Sequence, residues 1–152
     1  MAREGNEFTI RGVRRADFAA VAALAGQLGY AATRAEIEHR LKEIAATKDH
    51  DVFVAEARGG EILGYVDVMV MITAESDARV EVAGLVVADK SRRKGVGEEL
   101  MKQAEEWGRK RGCKLINLRS NVLREAAHAF YARLGYEHYK TQKAFRKRIC
   151  DS

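Results

Sequence analysis

Two hydrophobic periods alternate along this chain and divide it into predicted strands and helices. Period-two alternation or short apolar runs, both typical of strands, cover residues 8–13, 52–55, 62–72, 82–88, 114–118, 136–139 and 143–149. Apolar residues at helical spacing predict helices over residues 16–28, from the capping residue Thr33 onward, from the turn at residues 92–97 to Gly112, and over residues 123–134. The order β-α-α-β-β-β-α-β-α-β-β predicts an α/β domain.

Composition narrows the class of protein. The chain has 152 residues, of which 47% are hydrophobic and 32% charged, and this suits one globular domain. No apolar run is long enough for a membrane span and no secretory leader is evident, so we expect a cytoplasmic protein without a membrane partner. Neither the two cysteines nor the four histidines stand at metal-ligand spacing, so we expect no metal site.

Charge is distributed unevenly between the two halves of the chain. Residues 1–80 hold 10 Lys/Arg and 13 Asp/Glu, a net charge of −3, and residues 81–152 hold 17 and 9, a net charge of +8, which together give +5. The basic half favours an anionic ligand, and the acidic half favours a cationic partner. The basic run 109–111 ends a predicted helix, where it complements the helix dipole, so we expect no nucleic-acid partner.

One basic, glycine-bearing turn carries the strongest chemical signal. Residues 92–97 read Arg-Arg-Lys-Gly-Val-Gly and stand between the apolar strand and a helical pattern that contains Leu100, Met101, Ala104 and Trp107. Three features of the turn together favour a pyrophosphate: the unpaired N–H groups at a helix N-terminus, the glycine and the three cationic side chains. The turn has neither the Lys-Ser/Thr pair of a P-loop nor the third glycine of a dinucleotide fingerprint.

The turn and a second segment together resemble one family. Arg92, Gly95 and Gly97 match the pattern Q/R-x-x-G-x-G/A, and residues 121–136 resemble N-x-x-A-x-x-F-Y-x-x-x-G-F/Y with a longer spacing after Asn121. Both patterns are typical of the GNAT superfamily of N-acetyltransferases, and the order of predicted elements is similar to a GNAT domain over nearly the whole chain. The resemblance implies a single domain over residues 1–152, an α/β three-layer sandwich with a mixed, mostly antiparallel sheet, a splayed central strand pair and helices on both faces.

The resemblance also implies acetyl-CoA as the cofactor. Its phosphates would lie at the turn, and its pantetheine arm would pair with the central strand like an added strand. The residues implied for cofactor binding are Leu85, Val86 and Val87 in the strand, Arg92, Arg93, Lys94, Gly95, Val96, Gly97 and Glu98 at the turn, and Asn121, Ala127 and Phe130 in the second segment.

Two side chains are candidates for proton transfer. By its position in the second segment, Tyr131 resembles the family's proton donor to the leaving thiolate, and a neutral phenol with a pKa of ~10 suits that role. A packing residue is the alternative, because apolar neighbours recur there at helical spacing. Glu81 has the offset from the turn that the catalytic Glu has in histone acetyltransferases of the superfamily, which implies a base acting through water; a surface-facing Glu is the alternative. Gly84 in the same strand favours a bulge or a close backbone approach.

The acceptor is predicted from charge and from the resemblance. The chain is similar to aminoglycoside and related small-amine acetyltransferases, which implies a primary amine of a small cationic molecule and direct transfer in a ternary complex. The candidate acceptor contacts are Tyr30, Glu36, Asp49, Asp51 and Asp77. Two alternatives remain: an acetyltransferase of protein lysines or N-termini, and a non-catalytic module that binds acyl-CoA or nucleic acid. Since dimers are common among relatives, a homodimer also remains open.

Overall fold

The computed structural model describes residues 7–29 and 32–151. Backbone contacts divide the chain into two compact units, residues 1–119 and residues 120–152. The single domain expected over residues 1–152 stays a prediction. Within the described ranges, no helix combines the length and the apolar character that crossing a membrane requires.

The first unit is built on a five-stranded sheet. The strands are β1 (Phe8–Gly12), β2 (His50–Ala57), β3 (Ile62–Thr73), β4 (Ser76–Val87) and β5 (Ile116–Leu118). Their order in the sheet follows their order in the chain. The first three pairings are antiparallel and the β4–β5 pairing is parallel, so the mixed and mostly antiparallel sheet that we predicted is confirmed.

Three helices belong to the first unit and one to the second. They are α1 (Phe18–Gly26), α2 (Arg34–Ala45), α3 (Val96–Lys110) and, in the second unit, α4 (Glu125–Arg133). The predicted capping box at the start of α2 is confirmed, because the Glu36 N–H donates to the Thr33 hydroxyl at 3.1 Å and Glu36 accepts from the Thr33 N–H at 3.2 Å. These two bonds satisfy donors that would otherwise be unpaired at the helix start.

Helices cover both faces of the sheet in the first unit. One core packs α1 and α2 against side chains of the sheet, with Phe18, Leu24, Leu41, Val54 and Tyr65 among its members. Successive strand residues point to opposite faces, and α3 packs on the other face through its apolar stripe. That stripe is buried as predicted and consists of Val96, Leu100, Met101, Ala104 and Trp107.

The centre of the sheet is irregular at β4. The β3–β4 register runs from Asp67↔Gly84 to Val68↔Val82, which leaves Ala83 as an extra residue on β4 and forms a β-bulge. The parallel partner β5 pairs with β4 only from Val80 to Val82. Beyond the bulge, β4 therefore continues to Val87 without β5 beside it, and the two strands part where the sequence analysis expected a splayed pair.

The two C-terminal strands that we predicted are absent. Within the described residues 136–151 the structure has no strand, and Phe145 and Ile149 are about nine-tenths exposed. Alternating charged and apolar residues make a segment compatible with a strand, but a strand also needs a neighbouring backbone to complete its hydrogen bonds. The alternation at residues 143–149 shows only that the segment is compatible with a strand. It does not supply a neighbouring backbone, and this is why the prediction was wrong.

Candidate active site

The turn between β4 and α3 has an unusual backbone. Arg93 and Gly95 both have left-handed conformations, with φ of 65° and 84°, and Gly95 is the residue that caps α3. A Cβ at Gly95 would meet no atom within 4 Å, so glycine is needed there for its backbone angles rather than for space. The capping residue Gly95 has no side chain, and no side chain of residues 7–29 and 32–151 is seen to cap the first N–H groups of α3, so those donors are available to an anion.

The charges at this turn divide into paired and unpaired cations. Arg92 forms an exposed ion pair with Asp89 at 2.9 Å, and Lys90 pairs with Glu61. Arg93 and Lys94 have no ion-pair partner within residues 7–29 and 32–151. Glu98, in the first turn of α3, is drawn toward Lys102 at 3.5 Å. Two cations and a helix N-terminus thus face solvent at one place, as the pyrophosphate hypothesis requires.

The edge of β4 beyond the bulge offers a second set of donors. The N–H of Ala88 donates to the Leu63 carbonyl of β3 at 2.8 Å. Because N–H groups alternate in direction along a strand, those of Val87 and Leu85 point away from β3, toward the side where β5 has ended. Val86 points its backbone toward β3 instead, and its side chain is buried in the core of α1 and α2. An extended ligand can pair with the Leu85 and Val87 groups.

Glu81 lies on β4 just before the bulge and is partly buried. Its carboxylate accepts a hydrogen bond from Arg79 at 3.3 Å, and Arg79 also donates to Ser76 at 2.7 Å. The side chain of Glu81 is only 12% exposed, so the alternative of a fully surface-facing strand residue does not describe it. The ion pair with Arg79 holds the carboxylate in place.

Sequence reasoning did not identify a His–Asp pair on the same sheet. His50 Nε2 and Asp67 Oδ1 lie 2.6 Å apart on β2 and β3. Burial raises the pKa of Asp67 above its ordinary value, and the hydrogen bond with His50 opposes that shift in part. The sequence carried one signal for it, since Asp67 is the sole charged residue in the apolar stretch 62–72. The predicted strand covered residues 52–55, and β2 begins two residues earlier, at His50.

Gly84 differs from the glycines that packing requires. A Cβ at Gly64 would come within 2.7 Å of the Val86 carbonyl, and a Cβ at Gly108 within 2.4 Å of Val80. At Gly84 the nearest atom would be 3.9 Å away, on Tyr65, and φ is not in the left-handed region. A glycine weakens a strand, so its presence here, with no neighbour that demands it, indicates that space is kept open in front of Asp67.

The four candidate acceptor contacts that the structure describes lie in different places. Asp51 accepts from the Trp107 indole at 2.6 Å, and Arg111 reaches Asp49 at 3.3 Å, so both carboxylates are engaged by residues at the end of α3. Glu36 caps α2. Asp77 is exposed next to the β3–β4 turn. Tyr30 lies outside the described residues.

The second unit carries the remaining predicted positions. Ala127, Phe130, Tyr131 and Leu134 are the less exposed residues of the α4 region, as the predicted stripe requires. Tyr131 packs edge-on against Phe130 and Tyr136, with ring centroids 5.2 and 6.0 Å apart. Burial raises the pKa of Tyr131 above its ordinary value, with Arg124 opposing the shift, so the phenol stays protonated at neutral pH.

Asn121 begins the turn before α4. Its side-chain oxygen accepts from the Leu123 N–H at 2.9 Å, and its carbonyl lies 2.9 Å from His128 Nε2. Its side chain thus shapes the local turn. Within the described residues, no group of three or more His, Cys, Asp or Glu side chains is arranged to hold a metal ion.

With this geometry established, comparison with known proteins assigns the class. Residues 20–136 match the Acetyltransferase (GNAT) family, which is more than half of the chain, and the chain therefore belongs to that family. The structure of the aminoglycoside N-acetyltransferase AAC(6')-Iy in complex with CoA is similar with a TM-score of 0.85 at 21% identity, covering 98% of this chain and 100% of that one. The predicted family and the predicted fold are both confirmed.

Two curated relatives are more similar in sequence. Aminoalkylphosphonate N-acetyltransferase of Salmonella typhimurium is 33% identical over 90 residues, covering 57% of this chain and 58% of that protein. Aminoglycoside N(6')-acetyltransferase type 1 of Klebsiella aerogenes is 32% identical over 99 residues, covering 63% of this chain and 65% of that protein. The chain thus spans about three fifths of the length of these relatives.

Proposed function

We propose that this protein is an acetyl-CoA-dependent N-acetyltransferase that acts on a primary amine of a small cationic molecule. One observation carries the proposal. The edge of β4 that has no β5 beside it is followed along the chain by the start of α3, which is cationic and uncapped. The N–H groups on the edge of β4 can donate to an extended pantetheine arm, and those at the start of α3 can donate to a pyrophosphate. In a chain of this family, these two sets of donors lie on adjacent segments.

The residues at the turn suit the phosphates of the cofactor. The left-handed Gly95 exposes backbone N–H groups, and Arg92, Arg93 and Lys94 add cationic donors. Val96, Gly97 and Glu98 would contribute the first N–H groups of α3. The N–H groups of Leu85 and Val87 would bind the pantetheine arm. When bound, the cofactor supplies an acetyl group activated as a thioester.

Proton transfer sets the tasks of the catalytic side chains. A primary amine is mostly ammonium at neutral pH and has to lose a proton before it can attack a carbonyl. Glu81 is the base that the sequence offers, acting through water. Tyr131, kept protonated by burial, would donate a proton to the leaving thiolate. A backbone N–H of β4 near the bulge would stabilise the developing oxyanion.

The acceptor class rests on the relatives and on charge. The curated relatives are named as aminoglycoside and aminoalkylphosphonate N-acetyltransferases, and both names describe small amines. On this chain, carboxylates at Asp67, Asp77 and Glu81 lie along β3 and β4, which favours a cationic acceptor over a neutral one. Direct transfer within a ternary complex is part of the proposal.

The test is release of coenzyme A thiol from acetyl-CoA in the presence of separate amines. Aminoglycosides, polyamines, aminoalkylphosphonates, amino acids and short peptides form the panel. We expect turnover with small amines. Turnover with peptides alone would replace the proposal with protein acetylation, and tight acetyl-CoA binding without turnover on any amine would replace it with a non-catalytic module.

Matched variants test the two parts of the site in the same assay. Arg92→Glu should weaken coenzyme A binding at least ~10-fold by calorimetry, whereas Arg58→Glu, at an exposed turn between β2 and β3, should not. Tyr131→Phe should lower kcat by about 10²-fold, with the exposed Tyr139→Phe as its control. Unchanged binding in folded Arg92→Glu would remove the anion site from the proposal, and unchanged kcat in Tyr131→Phe would leave Tyr131 as a packing residue.

A further inference from the structure

The His50–Asp67 pair has the geometry of an oriented imidazole. The Nε2–Oδ1 distance is 2.6 Å, and the two side chains are 16% and 23% exposed. With the ring proton on Nε2, the imidazole donates to Asp67 and Nδ1 carries a free lone pair. Nδ1 has no hydrogen-bond partner within the part of the chain that the structure describes. One nitrogen is fixed, and the other is able to accept a proton.

The register places this pair beside the open part of β4. Asp67 is paired with Gly84 across β3 and β4, one residue beyond the bulge at Ala83. His50 is paired with Met69, which is in turn paired with Glu81. Strands in a sheet lie about 4.8 Å apart, so His50 and Glu81 are about 10 Å apart at the backbone.

The fold by itself does not account for a carboxylate at position 67. Val52 and Gly84 flank Asp67 on the neighbouring strands, and Val52 belongs to the apolar core of α1 and α2. Burying a carboxylate with a single partner is unfavourable compared with an apolar side chain. An apolar side chain such as valine would suit the packing at this position better, so packing alone does not account for the carboxylate.

We propose that His50, positioned by Asp67, accepts the proton of the acceptor ammonium group, in place of Glu81. This rests on the proposed N-acetyltransferase function and names the base of that reaction. His50 is then a catalytic residue, because its Nδ1 touches the amine or the one water next to it. Asp67 is a positioning residue that fixes the ring and stabilises the imidazolium.

The step balances with acetyl-CoA as the second reactant. Nδ1 takes one proton from the ammonium and leaves a neutral amine with a free electron pair. The amine nitrogen forms a bond to the thioester carbonyl carbon, and the carbon–sulfur bond breaks with its electron pair on sulfur. The nitrogen loses a second proton, the thiolate gains one, and His50 returns its own proton to solvent. No oxidant or reductant is involved.

The charged groups near the pair are few. Arg79 and Glu81 lie on the adjacent strand β4 and are paired with each other at 3.3 Å. The buried residues that α1 and α2 direct at this face of the sheet are apolar and include Leu24 and Leu41. On β5, Asn117 is opposite Glu81 and is uncharged. Among the described residues, Asp67 is therefore the charged group in direct hydrogen-bond contact with His50.

The experiment is the pH dependence of kcat/KM for the best amine of the panel. For the wild-type protein we expect kcat/KM to fall as the pH is lowered and the base becomes protonated. His50→Gln should lower kcat by at least ~10²-fold and abolish that acid limb, while the KM for acetyl-CoA stays unchanged. Asp67→Asn should lower kcat and shift the pH at which kcat/KM falls on the acid side. His39→Gln, at an exposed position on α2, serves as the control and should behave like the wild-type protein.

Each outcome decides for or against the proposal. If Glu81→Gln abolishes the acid limb while His50→Gln keeps it, Glu81 is the base and the proposal is overturned, although the N-acetyltransferase function stands. A readout independent of turnover is imidazole ¹⁵N NMR of the wild-type protein with coenzyme A and the amine. A change in the imidazole ¹⁵N signals of His50, with none in those of His39, supports contact between His50 and the amine. An unperturbed His50 ring, or a wild-type protein that turns over no amine, overturns it.

Discussion

Asp17 and Asp67 are two carboxylates in the first unit with opposite surroundings. Asp17 receives two hydrogen bonds from the Arg11 guanidinium, at 2.7 and 2.9 Å, and one from the Arg14 N–H at 2.7 Å. These bonds, led by those of Arg11, lower the pKa of Asp17. Among the residues that the structure describes, Asp67 has one hydrogen-bond partner, His50, and burial raises the pKa of Asp67.

The difference separates a structural carboxylate from a chemical one. Asp17 has its acceptor sites filled by a permanent cation and a backbone donor, so it stays ionised and fixed. Among the described residues Asp67 is held by the imidazole of His50 and by no permanent cation. Saturated networks hold a fold together, and unsaturated ones next to open space are where substrate chemistry is expected.

The largest expected effect comes from breaking the saturated network. Asp17→Asn removes one of the two carboxylate charges that Arg11 pairs with, the other being Glu56, and weakens three hydrogen bonds, and it should lower the free energy of unfolding by about 2–3 kcal/mol. Urea denaturation measures the change. Asp77→Asn, on an exposed strand end, is the control and should stay within about 0.5 kcal/mol of the wild-type protein. If the urea midpoint of Asp17→Asn is unchanged, Asp17 does not stabilise the fold, and the contrast between Asp17 and Asp67 is contradicted.

Gly64 and Gly84 offer a second test of the contrast between positions that hold the fold together and positions that serve the reaction. Gly64→Ala places a Cβ within 2.7 Å of a backbone carbonyl and should destabilise the fold by about 1–3 kcal/mol. Gly84→Ala meets nothing closer than 3.9 Å and should change stability by less than about 0.5 kcal/mol. Its methyl group would instead occupy the space in front of Asp67 and raise the KM for the amine. Thermal unfolding and steady-state kinetics measure the two effects, and the reverse order of stabilities would contradict this account.

Sequence predicted those parts of the site that are contiguous in the chain. The turn at residues 92–97 combines its strand, its glycines and its helix start within a few residues, so local patterns were sufficient to predict that local structure; its role in binding phosphates stays a prediction. The His50–Asp67 pair joins residues 17 apart, and they meet only because β2 and β3 pair in one register that includes a bulge between Ala55 and Glu56. No local pattern encodes that register.

The remaining differences have similar causes. Asp49 and Asp51 were predicted as acceptor contacts from their charge, but the partners that engage them come from the distant end of α3. The helix periodicities succeeded because a helix turns its apolar stripe toward its own neighbours, most clearly in α1 and α3. The C-terminal strands failed because a strand depends on a neighbour that its own sequence does not specify.

The smallest effect is the most direct test of Asp67. Its pKa is raised in the folded protein, so between the unfolded value, about 4, and the raised value the folded chain binds more protons than the unfolded chain. Stability contributed by this group is therefore lost as the pH rises through that window, and at neutral pH the ionised carboxylate is unfavourable. Asp67→Asn keeps an oxygen that accepts from His50 and removes the charge. It should raise the free energy of unfolding at pH 7 by less than about 1 kcal/mol.

The control for this last prediction is its pH dependence. The stability difference between Asp67→Asn and the wild-type protein should vanish below about pH 4, where both side chains are neutral. Asp17 behaves in the opposite sense, because its pKa is lowered and the stability it contributes is lost as the pH falls through the folded value. Urea denaturation at a series of pH values measures both. If Asp67→Asn is less stable at pH 7, Asp67 holds the fold together as Asp17 does, and the argument that its position serves chemistry fails.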